Sequence, residues 1–360
     1  MNFLSELDSP TQTAGYEALG YLQNPFPIRG EVHPEIYVER PELENLRRHL
    51  LSFLSEEHPG GGFWAMEGSR GIGKSNFLQH LDWELQKAHG RLIKYTVHQY
   101  IPSRLVAPQQ LIEKIIQAIG EDIFHELLKN QPTLPTSSNG TDLYRFFRKY
   151  PQQQNLEESV RFLRRWMSGH QTYAHEREKY NIWSKERMPP AVAFPYLRTI
   201  VDCLDSVGLL KKIILLLDEF EEVQLLKLPL RSEYIQALKG LINTFNWKGL
   251  FIIIAGQEGS FSTIGEQYTS ISDRWQRVSL LPISSGIEAI KLANAYKTFA
   301  HQAYLQQRRG EKEKPELSPS DIEIKAIYGD VCSERGSVRI SQRDVLHKLY
   351  QWVEERVSMI

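Results

Sequence analysis

The stretch that decides the fold of this chain reads Gly68-Ser69-Arg70-Gly71-Ile72-Gly73-Lys74-Ser75. It fits the pattern G-x-x-x-x-G-K-[ST], whose glycines let backbone N–H groups turn inward around a phosphate at a helix N-terminus. The apolar residues 63–66 precede it, and an amphipathic run follows from Asn76. We therefore expect a strand, a phosphate loop and a helix, with Lys74 reaching the β- and γ-phosphates and Ser75 binding Mg²⁺.

A second motif follows a short apolar run. Residues 213–217 have the continuous apolar character of a strand buried on both faces of a parallel sheet, and they end in Asp218-Glu219. Asp218 is predicted to hold the Mg²⁺ shell and Glu219 to polarise the attacking water. The alternative is a solvated acidic turn, because Glu221 and Glu222 follow. The presence of the Lys74 loop favours phosphoryl transfer.

Composition bounds the class of protein. The chain has 360 residues, of which 41% are hydrophobic, so it can bury a substantial core. Its net charge of -1 gives no global basic field for nucleic acid or anionic membranes, and contact with either needs a local patch. The two cysteines, Cys203 and Cys332, disfavour a disulfide framework and a zinc site, and fit a reducing, cytoplasmic setting. The apolar runs are too short to span a bilayer, and residues 1–6 lack an export signal.

One region is locally basic. In residues 144–150 and 161–166, Arg and Lys alternate with Tyr, Phe and Trp. Such residues hold single-stranded nucleic acid by stacking, but at helical spacing they also form an apolar core face with long basic side chains at its rim. Both interpretations stay open from the sequence.

Periodicity predicts the other elements. A helix is expected to start at Pro41, strands to cover residues 92–97, 250–257 and 278–281, and helices to cover 111–119 and 288–306. Residues 131–140 form a turn-rich connector. Phe26 is expected to dock against the domain. Gln257 ends its strand, where it either orients the attacking water or caps the strand.

This succession of motifs resembles the AAA+ ATPases, in particular the branch of origin-recognition and initiator ATPases and the transposition ATPases of the TniB kind. It is also similar to the ATP-binding proteins of BREX-type phage-defence systems. The resemblance covers roughly residues 24–100 and 195–350. The segment from Phe26 through Arg40, in the pattern Asn-Pro-Phe and then Val-x-Arg-Pro-Glu-Leu, resembles the one that packs over adenine in that branch.

The resemblance implies roles for further residues. Tyr37 and Val38 would line the base pocket, and residues 68–75 with Asn76 would bind the nucleotide. Gln257 corresponds to the first sensor and Arg339 to the second, which reaches the γ-phosphate. Arg274 or Arg277 corresponds to the arginine finger that a neighbouring subunit receives, so hydrolysis would depend on assembly. About twenty residues follow Arg339, too few for the winged helix with which initiators read DNA.

We therefore expect an α/β fold, a P-loop NTPase (AAA+) parallel sheet flanked by helices, with a helical insertion and a small C-terminal helical lid. The function expected is an ATP- and Mg²⁺-dependent ATPase that switches an assembly on DNA or a DNA-acting partner, in phage defence or transposition, as a homo-oligomer with a protein partner. The alternative is a slow scaffold ATPase that gates a protein partner without DNA. The predicted parts are an arm (1–30), the core (31–100 and 196–282), the insertion (101–195) and the lid (283–360).

Overall fold

A computed structural model describes residues 15–28, 31–55, 61–102, 108–130, 134, 141–152, 155–184, 188–245, 249–267, 274–307 and 318–360. The chain divides into two compact units. The sheet unit comprises residues 44–67 and 84–278, and the loop unit comprises the residues up to 43, 68–83 and 279–360. The predicted connector at 131–140 lies outside the described residues except for Leu134, as does much of the predicted arm.

The sheet unit contains five strands in the order β2-β3-β4-β1-β5. The pairs β1–β4, β3–β4 and β2–β3 are parallel, so β1 and β3 end at the same edge with β4 between them. Every residue of β4 is buried, which agrees with its continuous apolar sequence. The strands are β1 (Gly62–Glu67), β2 (Thr96–Ile101), β3 (Lys212–Leu217), β4 (Leu250–Gly256) and β5 (Gln276–Ser279).

Helices make up most of the remaining described chain. Six of them, α3 to α8, lie between β2 and β3 in chain order, where an insertion was predicted. In chain order the helices are α1 (Glu44–Leu54), α2 (Lys74–Ala88), α3 (Pro108–Ile119), α4 (Glu121–Lys129), α5 (Asp142–Lys149), α6 (Leu156–Met167), α7 (Ala174–Lys179), α8 (Pro190–Ser206), α9 (Leu228–Phe245), α10 (Ser260–Gln267), α11 (Gly286–Gln307), α12 (Asp321–Arg335) and α13 (Gln342–Met359).

The strand–phosphate loop–helix succession, placed on a sheet with parallel pairing, is the P-loop NTPase arrangement. The predicted fold class is confirmed: α/β, a parallel P-loop NTPase sheet flanked by helices, with inserted helices before β3 and further helices at the C-terminal end. No helix within the described ranges combines the length and the apolar character that crossing a membrane requires.

Two strand predictions were displaced along the chain. The strand expected at 92–97 begins at Thr96, and Leu92 is 87% exposed. β2 is an edge strand, where His98 and Gln99 are only partly covered, so its apolar signal is weak and the stronger one upstream misled the prediction. The strand expected at 278–281 lies at Gln276–Ser279, where Val278 is the buried residue.

The basic-aromatic region forms a core, and the nucleic-acid stacking hypothesis for 144–166 is wrong for its main aromatic side chains. Helices α5 and α6 bury these rings against one another and the sheet-unit core. Arginines of the same helices form ion pairs, such as Arg145 with Asp142 and Arg164 with Glu121. Helical spacing placed the rings on one face of each helix. The buried rings are those of Phe146, Phe147, Tyr150, Phe162 and Trp166.

The loop unit has its own core, formed by α11, α12 and α13 with the N-terminal segment. Phe26 is buried in it with its ring 6.4 Å from that of Tyr296, which confirms the predicted docking. A capping box at Ser320 starts α12, Gly336 ends it with φ of 62°, and Ser341 caps the start of α13. These caps fix where α13 begins, which matters for the phosphate loop.

Candidate functional site

The phosphate loop has the backbone that its glycines predict. Gly71 and Gly73 have φ of 79° and 102°, in the left-handed region that other residues avoid. The Lys74 ammonium lies against the same loop, donating to the carbonyl oxygens of Gly68 at 2.6 Å and Ser69 at 3.0 Å. A flexible cation is thereby held beside the loop backbone at the start of α2, and helix N-termini of this kind favour anions.

The start of α13 packs directly on the phosphate loop. A β-carbon on Gly73 would lie 2.5 Å from Gln342 Oε1, and one on Gly71 would lie 2.9 Å from the β-carbon of Arg343. The Arg343 backbone N–H donates to the Gly71 carbonyl at 3.1 Å. A side chain at Gly71 would therefore collide with the start of the Arg343 side chain, whereas one at Gly73 would displace the end of the flexible Gln342 side chain.

Two residues of the Val-x-Arg-Pro-Glu-Leu motif bind the backbone around Leu281. Arg40 Nη2 donates to the Leu281 carbonyl at 2.8 Å and to the Ile72 carbonyl at 3.3 Å. The Glu42 carboxylate accepts from the Leu281 N–H at 3.0 Å, and the Arg40 Nε and Glu42 Oε1 atoms are 3.8 Å apart. The motif thus ties the N-terminal segment to the phosphate loop and to the residues after β5.

A small, partly open pocket lies beside the phosphate loop within the loop unit. Tyr37 and Val38, for which the sequence predicts contact with a base, line this pocket together with Asn76. The Tyr37 ring stacks on the His80 ring with their centroids 4.6 Å apart. Burial, together with the Glu35 carboxylate, raises the pKa of Tyr296 to about 12, so the Tyr296 hydroxyl stays protonated. The other lining residues are Ile36, Arg40, Leu43, Ile72, Gly73, Phe77, Leu280, Leu292, Tyr296 and Gln342.

In the sheet unit, Asp218 and Glu219 follow β3 at the carboxyl edge of the sheet, as predicted. Asp218 is buried, and its two oxygens accept from the Tyr100 hydroxyl at 3.0 Å and from the Glu219 N–H at 2.9 Å. Glu219 is exposed and has φ of 51°, an uncommon conformation for a residue other than glycine. The Asp218 carboxylate is therefore held in place by hydrogen bonds, whereas the Glu219 side chain is accessible to solvent.

Gln257 follows β4 at the same edge. Its side chain is exposed, and its backbone N–H donates to Glu221 Oε2 at 3.1 Å. Because β4 lies between β1 and β3, Gln257 ends the strand next to the one that carries Asp218. Glu221, which the sequence left as part of an acidic cluster, holds this strand end.

The three predicted arginines are all exposed. Arg274 donates to the Asn243 side-chain oxygen, and Arg277 to Ser262 Oγ at 3.4 Å, both in the sheet unit. Arg339 lies on the connection between α12 and α13 in the loop unit, with its backbone N–H bonded to Ser337 Oγ. The structure places Arg343, four residues later, against the phosphate loop.

Sequence reasoning missed two side chains beside the motifs. Tyr100 was missed because the strand prediction stopped at residue 97. Once β2 is paired with β3, Tyr100 lies opposite Leu216, two residues before Asp218. Arg343 carries a usable signal, since Ser341 caps the helix and puts Arg343 in its first turn.

Comparison with known proteins gives structural neighbours only. No family model and no curated protein matches the chain. The ORC2 protein of Aeropyrum pernix, solved as ADPNP and ADP complexes, is similar with a TM-score of 0.47 and 15% identity over 91% of this chain and 70% of its own. The A. pernix ORC1 protein in complex with DNA has a TM-score of 0.40 and 13% identity, over 90% of this chain and 66% of its own. Drosophila ORC bound to DNA has a TM-score of 0.38 and 13% identity, over 97% of this chain and 67% of its own. At these identities and TM-scores the similarity assigns no activity.

The crowding at Gly73 gives a first prediction. Gly73→Ala should lower the stability of the protein by about 1–3 kcal/mol, because the new methyl group meets Gln342 and the backbone is left-handed. Gly329→Ala is the control, since its site in α12 is open and alanine favours a helix by about 1 kcal/mol. Urea unfolding measures both. A Gly73→Ala protein as stable as wild type would contradict the left-handed backbone at Gly73.

Proposed function

We propose that the chain is an AAA+ ATPase that binds and hydrolyses ATP with Mg²⁺. The observation that carries the proposal is the phosphate loop, in which Gly71 and Gly73 turn the backbone as an anion requires and Lys74 is held at its rim. The neighbouring pocket, lined by Tyr37 and Val38, supplies apolar walls of the kind that hold a base. The loop backbone, with Ser69, Arg70 and Ile72, would cradle the phosphates.

The acidic pair supports hydrolysis as the reaction. Water attacks the γ-phosphorus, the new P–O bond forms, and the bond to the β–γ bridging oxygen breaks to release ADP and phosphate. Exposed Glu219 would accept a hydrogen bond from that water, and Gln257 would help to orient it. Asp218, which is buried and accepts from Tyr100, and Ser75 are the residues proposed to supply oxygen ligands to Mg²⁺, which when bound would neutralise charge on the phosphates.

Nucleotide state would be communicated by arginines. The Arg343 backbone N–H donates to the Gly71 carbonyl of the phosphate loop. We therefore extend to Arg343 the second-sensor role proposed for Arg339. Exposed Arg274 and Arg277 are the candidates for the arginine that a neighbouring subunit receives in a homo-oligomer. An arginine supplied in trans accelerates phosphoryl transfer by about 10³–10⁵, so assembly would control turnover.

The wider role proposed is a nucleotide-driven switch in the cytoplasm that acts on DNA or a DNA-acting partner, in phage defence or transposition. One observation favours the alternative, a scaffold that gates a protein partner. Leu225, Leu228 and Leu230 are 76%, 65% and 45% exposed, and the segment that carries them starts just after Glu219. Exposed apolar side chains grouped near a switch residue are typical of a protein contact.

The ATPase proposal is tested by two substitutions. Lys74→Ala should abolish ATP binding measured by calorimetry, whereas Glu219→Gln should retain binding and lose about 10²–10⁴ in turnover. Glu222→Gln, three residues on, is the matched control and should hydrolyse ATP like wild type. Equal affinity and turnover in wild type and Lys74→Ala would end the enzymatic proposal.

The sensor proposal is tested by light scattering with and without ATP. Arg343→Ala should reduce the ATP-dependent change in oligomeric state, because its side chain starts at the phosphate loop. Arg339→Ala should reduce it as well if both arginines act on the γ-phosphate. An unchanged response in both variants would reject the sensor role for each.

DNA and protein partners are separated by ionic strength. If the protein contacts DNA phosphates, its retention on single- or double-stranded DNA should fall steeply between about 50 and 200 mM salt. No retention at low salt would favour the protein partner. In that case Leu228→Ser should weaken capture of the partner and leave ATP turnover unchanged.

A further inference from the structure

Asn76 links the two walls of the base pocket in the loop unit. It is the third residue of α2, directly after Ser75, and its Nδ2 donates to the Ile36 carbonyl at 3.1 Å. A carbonyl oxygen accepts and an amide NH₂ donates, so this bond fixes which end of the Asn76 amide faces Ile36. The oxygen end of the amide is therefore left for another group.

That oxygen is buried and in need of a donor. Asn76 Oδ1 has no hydrogen-bond partner within the described part of the chain, although Asn76 lines the pocket. Buried polar atoms are nearly always hydrogen-bonded, and an orphaned one is costly, so its presence needs an explanation. A ligand that brings an N–H group into the pocket supplies one.

We infer that Asn76 Oδ1 selects a 6-aminopurine by accepting a hydrogen bond from its exocyclic amino group, an inference that rests on the proposed nucleotide binding. Adenine carries an N–H₂ donor at position 6, where guanine carries a carbonyl acceptor. Two acceptors facing each other repel, so the pocket disfavours guanine. The bond to Ile36 holds the Asn76 amide in this orientation before the base arrives, and the preference is built into the folded loop unit.

The Ile36 bond has a second consequence. The bond to the Ile36 carbonyl uses the NH₂ end of the Asn76 amide, so the acceptor proposed for the base is the side-chain oxygen of Asn76. Specificity built on a side chain is removable by substitution. A site made to hydrogen-bond a ligand N–H rejects the analogue that lacks it, because the buried group is then left without a partner.

The test compares ATP with purine riboside 5′-triphosphate, which has hydrogen in place of the 6-amino group, by calorimetry on the full chain. Wild type should bind ATP about tenfold tighter than the analogue, and GTP more weakly than ATP. Asn76→Leu should bind ATP and the analogue equally. Asn294→Leu, on α11 and not among the residues that line the pocket, is the control and should keep the wild-type ratio.

The outcomes separate this inference from the proposed function. Wild type that binds ATP and the analogue with equal affinity overturns the role of Asn76 and leaves ATP binding intact. A tenfold preference that survives Asn76→Leu also overturns it. If no triphosphate binds wild type, the proposed function and the inference fall together. The wild-type comparison needs no variant, so equal affinities would overturn the inference even if Asn76→Leu does not fold.

Discussion

The space around two glycines is the constraint on which the loop unit depends. Gly71 and Gly73 adopt left-handed backbone, and Gln342 and Arg343 fill the volume that their β-carbons would take. The N–H groups of such a loop turn inward only if no side chain intervenes, and here the outer side of the loop is occupied by the first turn of α13. The phosphate loop and the C-terminal helices are consequently one packed structure.

In the sheet unit, two adjacent carboxylates have different environments: Asp218 is buried and Glu219 is exposed. Asp218 is buried and accepts two hydrogen bonds, so its position is fixed by the Tyr100 hydroxyl and by the backbone of Glu219. Glu219 is exposed because its left-handed φ turns the chain away from the strand. A fixed carboxylate suits a metal ligand and an accessible one suits contact with water, which is the division that hydrolysis needs.

The sequence predicted most of the fold because buried parallel strands and glycine loops have strong local signals, as in β3, β4 and the Lys74 loop. It failed where local signals are weak. β2 is an edge strand with His98 and Gln99 half covered, so its position was misjudged and Tyr100 was missed. The rings of α5 and α6 satisfied two interpretations equally, and only packing decided between them. Arg343 was missed because, although the Ser341 cap places it in the first turn of α13, only the long-range hydrogen bond to Gly71 shows what that turn contacts.

The contact between α13 and the phosphate loop also explains how nucleotide could be sensed inside one unit. A ligand shifts a conformational equilibrium only if it interacts differently with the two states. Under the proposed function, a phosphate in the loop would compete with the loop carbonyls for Lys74 and would lie near Arg343, whose backbone is bonded to Gly71. A bound phosphate would therefore act on the first turn of α13, the helix that begins at the Ser341 cap.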